Sequence, residues 1–122
     1  MQRERFERLV RRALHRLPPA IQQAMENVAI VVEDWPDEQT VAEMGLESPH
    51  DLFGLYYGVP LAERGVGGGS WEPDRIVLYQ RPIEGACATD EEVVREVRTT
   101  VLHEVGHFLG MSEADLDRLG YG

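Results

Sequence analysis

The run His103-Glu104-Val105-Gly106-His107 sets two imidazoles four positions apart, with a carboxylate directly after the first. On an α-helix, turning about 100° per residue, His107 lies about 40° from His103 and Glu104 about 100° from it. Both rings therefore leave one face a single turn apart, as two ligands of one ion must. Imidazole is a borderline ligand that suits zinc, which tolerates three protein ligands plus a water. An ion held there lowers the pKa of that water from about 15.7 to about 7. Glu104 does not point with both histidines, but it stands where it can take the water's proton and pass it to a leaving amine. A chain of this composition throws up the pattern by accident roughly once or twice in a hundred, so the pair reads as a site.

The helix that must carry these residues has a clear start and stop. Thr89-Asp90-Glu91-Glu92 forms a capping box, and the spacing predicts a helix from there to about Leu109. Val94, Val97, Val101, Leu102, Val105, Phe108 and Leu109 fall together between about 120° and 260° on that helix, predicting that this arc packs on the domain while the His–Glu–His arc looks elsewhere. Gly110 fits the position after the helix, where positive φ is cheap. A second box, Ser112-Glu113-Ala114-Asp115, predicts a short helix ending near Leu119. The third ligand must come from outside the pair. Glu113, Asp115 and Asp117 follow closely, although acids in a first helical turn also occur as simple complements of the helix dipole. Thr100 and Glu96 share the metal face one and two turns back and are placed to orient ligands.

Upstream, residues 3–17 carry apolar side chains at helical spacing, and Pro18 and Pro19 separate them from a second helix, Ala20–Glu26. Strands are predicted at Val28–Glu33, Leu52–Val59 and Arg75–Arg81, and residues 34–51 read as loop with one helical turn. The glycines at 65 and 67–69 precede Ser70-Trp71-Glu72-Pro73, and the chain contains no Lys, so they link two antiparallel strands rather than cradle a phosphate. At 122 residues the chain is one domain's worth, 1–122. Its net charge of −10 argues against a nucleic-acid partner. The charged N-terminus is not a secretory signal, no apolar run spans a membrane, and Cys87 is the single cysteine, which together favour the cytoplasm. Residues 1–16 carry a net +4, expected to face the acidic remainder of the chain. Cys87 is expected to be buried and inert, and His15 and His50 are not spaced to chelate. Tyr56, Tyr57, Tyr79 and Tyr121 are candidate oxyanion donors, with packing the commoner role of aromatic strand residues.

The stretch from His103 to Glu113 resembles the elongated metzincin zinc signature HExxHxxGxxH, with Glu where His usually stands. It is closer still to a small bacterial family of minimal zincin-like metallopeptidases. Its members are about this length, carry an acidic residue, usually Asp, at that third position, and share the Gly-Leu-Tyr-Tyr-Gly-Val-Pro-Leu and Pro-Asp-Arg-Ile-Val-Leu-Tyr segments found here at 54–61 and 73–79. The resemblance implies a reduced zincin-like α+β fold, with a small three-stranded mixed sheet packed on the N-terminal helix and the metal-binding helix. It implies His103, His107 and Glu113 as ligands of one Zn²⁺ and Glu104 as general base. Two features depart from the pattern: Glu113 is one methylene longer than Asp, and no Met-turn follows it.

The function expected is zinc-dependent hydrolysis of peptide bonds. The alternatives are a zinc-stabilised protein-interaction module with little turnover and a hydrolase of small amides. The partner expected is a peptide or protein substrate adding to a strand edge, with residues 52–58 favoured as that edge. The site is expected to be shallow and suited to short or disordered peptides, or to be completed by a second copy of the chain.

Overall fold

The computed structural model describes residues 1–58 and 74–118. Helix α1 (Arg3–His15) buries Phe6, Leu9, Val10 and Ala13, the face its spacing marks as apolar. It stops short of residue 17 because Pro18 disfavours helical backbone before it. Helix α2 (Pro19–Ala24) opens with Pro19 in its first turn, where no N–H is needed. Strand β1 (Val28–Glu33) follows as predicted.

Among the described residues the sheet is three-stranded and mixed, in the order β1-β3-β2. Strand β2 (Gly54–Tyr57) lies antiparallel to β3 (Asp74–Tyr79), and β1 lies parallel to β3 on its other side. The central strand is covered on both faces, and its period of two divides it between two clusters. Ile76 and Leu78 enter the main core with α1 and the long helix α5 (Asp90–Phe108). Val77 and Tyr79 form the second cluster with Leu52.

Three sequence expectations change. The third strand ends at Tyr79, and Gln80–Ala86 form helix α4 instead of continuing it. Pro82 occupies the first turn of α4, where its missing N–H costs nothing. Residues 34–51 hold more than one turn: α3 (Glu38–Glu43), capped by Asp37 accepting from the Thr40 amide at 2.7 Å, and a 3-10 turn at Pro49–Asp51. Strand β2 is shorter than 52–59, although the Tyr79 amide still donates to the Phe53 carbonyl at 2.9 Å. Val59, the glycine-rich segment and Tyr121 lie outside the described residues.

Polar contacts fix α1 against the rest. Arg5 pairs with Asp90 at 2.8 Å and Arg16 with Glu91 at 2.5 Å, so the basic helix does face the chain's own acids. Such exposed pairs contribute at most about 1 kcal/mol each. The buried contact is Gln80, which accepts from Arg3 Nε at 2.6 Å and donates to the Met1 carbonyl and Glu84 at 2.8 and 2.7 Å. Arg3 also donates to the Val32 carbonyl at 2.8 Å, tying α1, α4 and β1 together. No helix of the described residues is long and apolar enough to cross a membrane. Gln80→Ala is expected to lower unfolding free energy by about 2 kcal/mol, because Arg3 and Glu84 lose a buried partner; a urea titration of both proteins measures it.

Candidate active site

Helix α5 begins and ends as its sequence predicts. The Glu92 amide donates to Thr89 Oγ1 at 3.1 Å and the Thr89 amide to Glu92 Oε2 at 3.2 Å. At the other end Gly110 adopts φ 85°. Its amide donates to the His107 carbonyl at 3.0 Å, and the Met111 amide to the Gly106 carbonyl at 2.8 Å. This pair of bonds is the Schellman closure, and it turns the chain back along the helix it has just left.

Val94, Val97, Val101, Leu102 and Val105 are buried, as the apolar arc requires. Its last two members differ. Leu109 is 40% exposed. Phe108 is half-buried and stacks on the Tyr56 ring, with centroids 4.2 Å apart and planes at 14°. The helix has outrun the main core by its final turn, where a β2 aromatic lies beside it.

The opposite arc holds the chemistry. The His103 and His107 rings lie 6.3 Å apart between centroids, inclined at 41°. The Glu113 carboxylate meets both: Oε1 lies 3.0 Å from His107 Nε2, and Oε2 lies 3.7 Å from His103 Nδ1. Asp115 is engaged otherwise. It accepts from the Ser112 amide at 2.9 Å and pairs with Arg118, completing the second capping box. Asp117 is exposed on helix α6 (Glu113–Arg118).

What brings Glu113 to the imidazoles was not read from the sequence. Leu116 is fully buried and sits over Gly106; a Cβ at position 106 would fall 2.7 Å from Leu116 Cδ2. A glycine inside a well-formed helix weakens it by about 1 kcal/mol relative to Ala, and that cost was the available signal of a close approach.

Glu104 is held by the sheet. The Tyr56 backbone amide donates to its Oε1 at 2.9 Å. Phe53 bonds to Tyr79 across the ladder, and alternation then turns the Tyr56 amide away from β3, toward the open side of β2. Burial pushes the Glu104 carboxyl above its ordinary value, opposed by the Tyr56 amide and by His107 and His103. A backbone donor carries no residue signature, so nothing in the sequence announced it.

Other candidates are engaged as follows. Thr100 donates to Glu96 at 3.5 Å; burial pushes the Glu96 carboxyl up, opposed by Thr100 and by the nearby His103. The Tyr56 hydroxyl donates to Asp74 at 2.8 Å, Tyr57 lies under the Arg75 guanidinium at 4.5 Å, and Tyr79 is buried in the second cluster. His50 packs edge-on against Trp35, and His15 lies on α1. Cys87 is half-buried rather than buried; burial, then Glu96 and Glu92, push its thiol up and keep it unreactive.

Among the described residues, no three His, Cys, Asp or Glu side chains already surround a common point. In kind, the donors fit zinc: two imidazoles and a carboxylate meet on one side of α5. Among the described residues His103 Nε2 has no hydrogen-bond partner although it is buried, a state that a metal ion on that nitrogen would relieve.

Residues 25–122 match the model of a family described as zincin-like metallopeptidase. Among solved structures, the chain is similar to a conserved hypothetical protein from Thermo thermophilus, at 25% identity and a TM-score of 0.59, over 89% of this chain and 94% of that one. No curated protein matches. The helices and small mixed sheet are those of a reduced zincin-like fold.

Because Gly110 closes α5 at positive φ, Gly110→Ala is expected to destabilise the protein by about 1 kcal/mol. Urea unfolding followed by far-UV circular dichroism measures the loss.

Proposed function

The chain belongs to the zincin-like metallopeptidase family, and from that premise we propose that it is a zinc-dependent peptidase working where α5 meets α6. The observation that carries this reading is the approach of the Glu113 carboxylate to both imidazoles of the His-Glu-x-x-His pair, with Glu104 fixed beside them. His103, His107 and Glu113 hold the ion. When bound, zinc supplies a Lewis acid that polarises a carbonyl oxygen and makes water acidic near neutral pH.

Glu104 is the general base. Its Oε1 is engaged by the Tyr56 amide, so Oε2 is the oxygen that takes the proton from water and returns it to the leaving amine nitrogen. Anchoring one oxygen on the backbone holds the other at a constant place through both transfers. The substrate is an extended peptide. It lies along β2, an edge among the described strands, whose Tyr56 amide holds the base, so the strand that aligns the peptide sets its distance from Glu104.

Glu104→Gln is expected to lower kcat on peptide substrates by about 100-fold or more while zinc content stays at about one per chain. His107→Ala is expected to weaken zinc binding by orders of magnitude and to lose the activity, since one imidazole and a carboxylate hold zinc far less tightly than the full set of three ligands. Elemental analysis beside peptide cleavage on the same preparations reads both. A zinc-loaded wild type that cleaves no peptide of a diverse library, or a Glu104→Gln variant as active as wild type, would overturn the reading.

A further inference from the structure

We propose that Leu116 is the positioning residue of the metal site, acting as an anchor that sets where the Glu113 carboxylate stands. The inference rests on Glu113 being the third ligand, as argued above. Helix α6 has six residues, too few to be stable alone in water, so its placement must come from contacts with the rest of the protein. Its capping box and the Asp115–Arg118 pair lie within the segment and shape it without attaching it to anything. Attachment comes from two places. One is the Schellman turn at Gly110, which sets the direction of the chain. The other is Leu116, the one buried residue of α6, fully covered and seated on Gly106.

Glu113 and Leu116 are three apart, so they share a helical face, and both are turned toward α5. Leu116 meets α5 at Gly106, directly between the two ligand histidines in sequence, and Glu113 meets it at His103 and His107. The seat and the site are therefore neighbouring turns of one contact. Glu113 itself is exposed and its chain is long, so among the described residues no other packing holds it in place. Removing Leu116 leaves α5, its imidazoles and Glu104 where they are. It releases the carboxylate to sample positions away from both rings, and zinc must then gather it.

The test is zinc affinity of the full chain, by competition with a chromophoric chelator, together with the thermal melt of metal-free protein. Leu116→Ala is expected to weaken zinc binding about 10- to 100-fold, the usual effect of losing a residue that orients a ligand. Leu116→Met, which keeps the volume, is expected to stay within about threefold of wild type. In a Glu113→Ala background, Leu116→Ala is expected to change affinity by less than about twofold, because its only route to the metal has already gone. A purely structural role would weaken binding equally in both backgrounds, and that result would overturn the proposal. Gly106→Ala carries the test should Leu116→Ala not fold, since it fills the seat while keeping the leucine. Its expected effect is likewise a loss of affinity that vanishes with Glu113→Ala. Wild-type affinity in Leu116→Ala overturns this inference alone and leaves the peptidase reading intact; a wild type that binds no zinc overturns both.

Discussion

The period of one helix governs this structure. Helix α5 is long enough to present two complete faces, and its sequence assigns them to different tasks. Valines at 94, 97, 101 and 105 with Leu102 bury one face against α1 and the sheet. The same rotation that sends them inward sends His103 and His107 out on the other side, one turn apart. Core and site are thus two consequences of one backbone, and the packing of the valines fixes the direction of the imidazoles. A site built on a packed helix inherits its rigidity, which is what ligand geometry demands.

Because that division is a property of the helix itself, it was legible without the structure. The capping box at Thr89, the apolar arc, the Gly110 closure and the Ser112 box are all local: each depends on residues within a turn or two of one another. The mixed three-stranded sheet and its packing on the two helices were likewise expected. Sequence reading failed where a long-range contact overrides local preference. Gln80 and Arg81 continue a strand-like run, yet they fold into α4. The buried Gln80 amide finds its partners only there, on Arg3, the Met1 carbonyl and Glu84, up to 79 positions away. Leu109 failed for a different reason. Its angle on the helix was right, but angle alone does not tell where the core ends along the axis.

The two features that complete the site share the property that hid them. Glu104 is anchored by a main-chain amide whose direction depends on the strand register, 48 positions away. Glu113 is brought in by a glycine that matters for the atoms it lacks. Neither a backbone donor nor a missing Cβ has a residue type that marks it as functional. Among the described tyrosines, Tyr56, Tyr57 and Tyr79 are engaged in packing and contacts of their own, the commoner role of aromatic strand residues, and Tyr56 matters to the site through its amide rather than its hydroxyl.

The unequal footing of the three proposed donors bears on the choice of glutamate at position 113. His103 and His107 stand on a helix of 19 residues with a buried face, whereas Glu113 opens a helix of six held by a turn and one leucine. Errors in the placement of α6 are therefore larger than errors in the placement of α5. A short aspartate would transmit each of them directly to its carboxylate. The additional methylene of glutamate adds a rotatable bond, and with it the reach to meet His107 and His103 through separate oxygens, at 3.0 and 3.7 Å. That freedom carries an entropic cost when the side chain is fixed, of a size within the range of about 0 to 2 kcal/mol for ordering a side chain. A fold with little structure to hold the proposed third donor trades side-chain entropy for tolerance of position, and the longer acid is the residue suited to that trade.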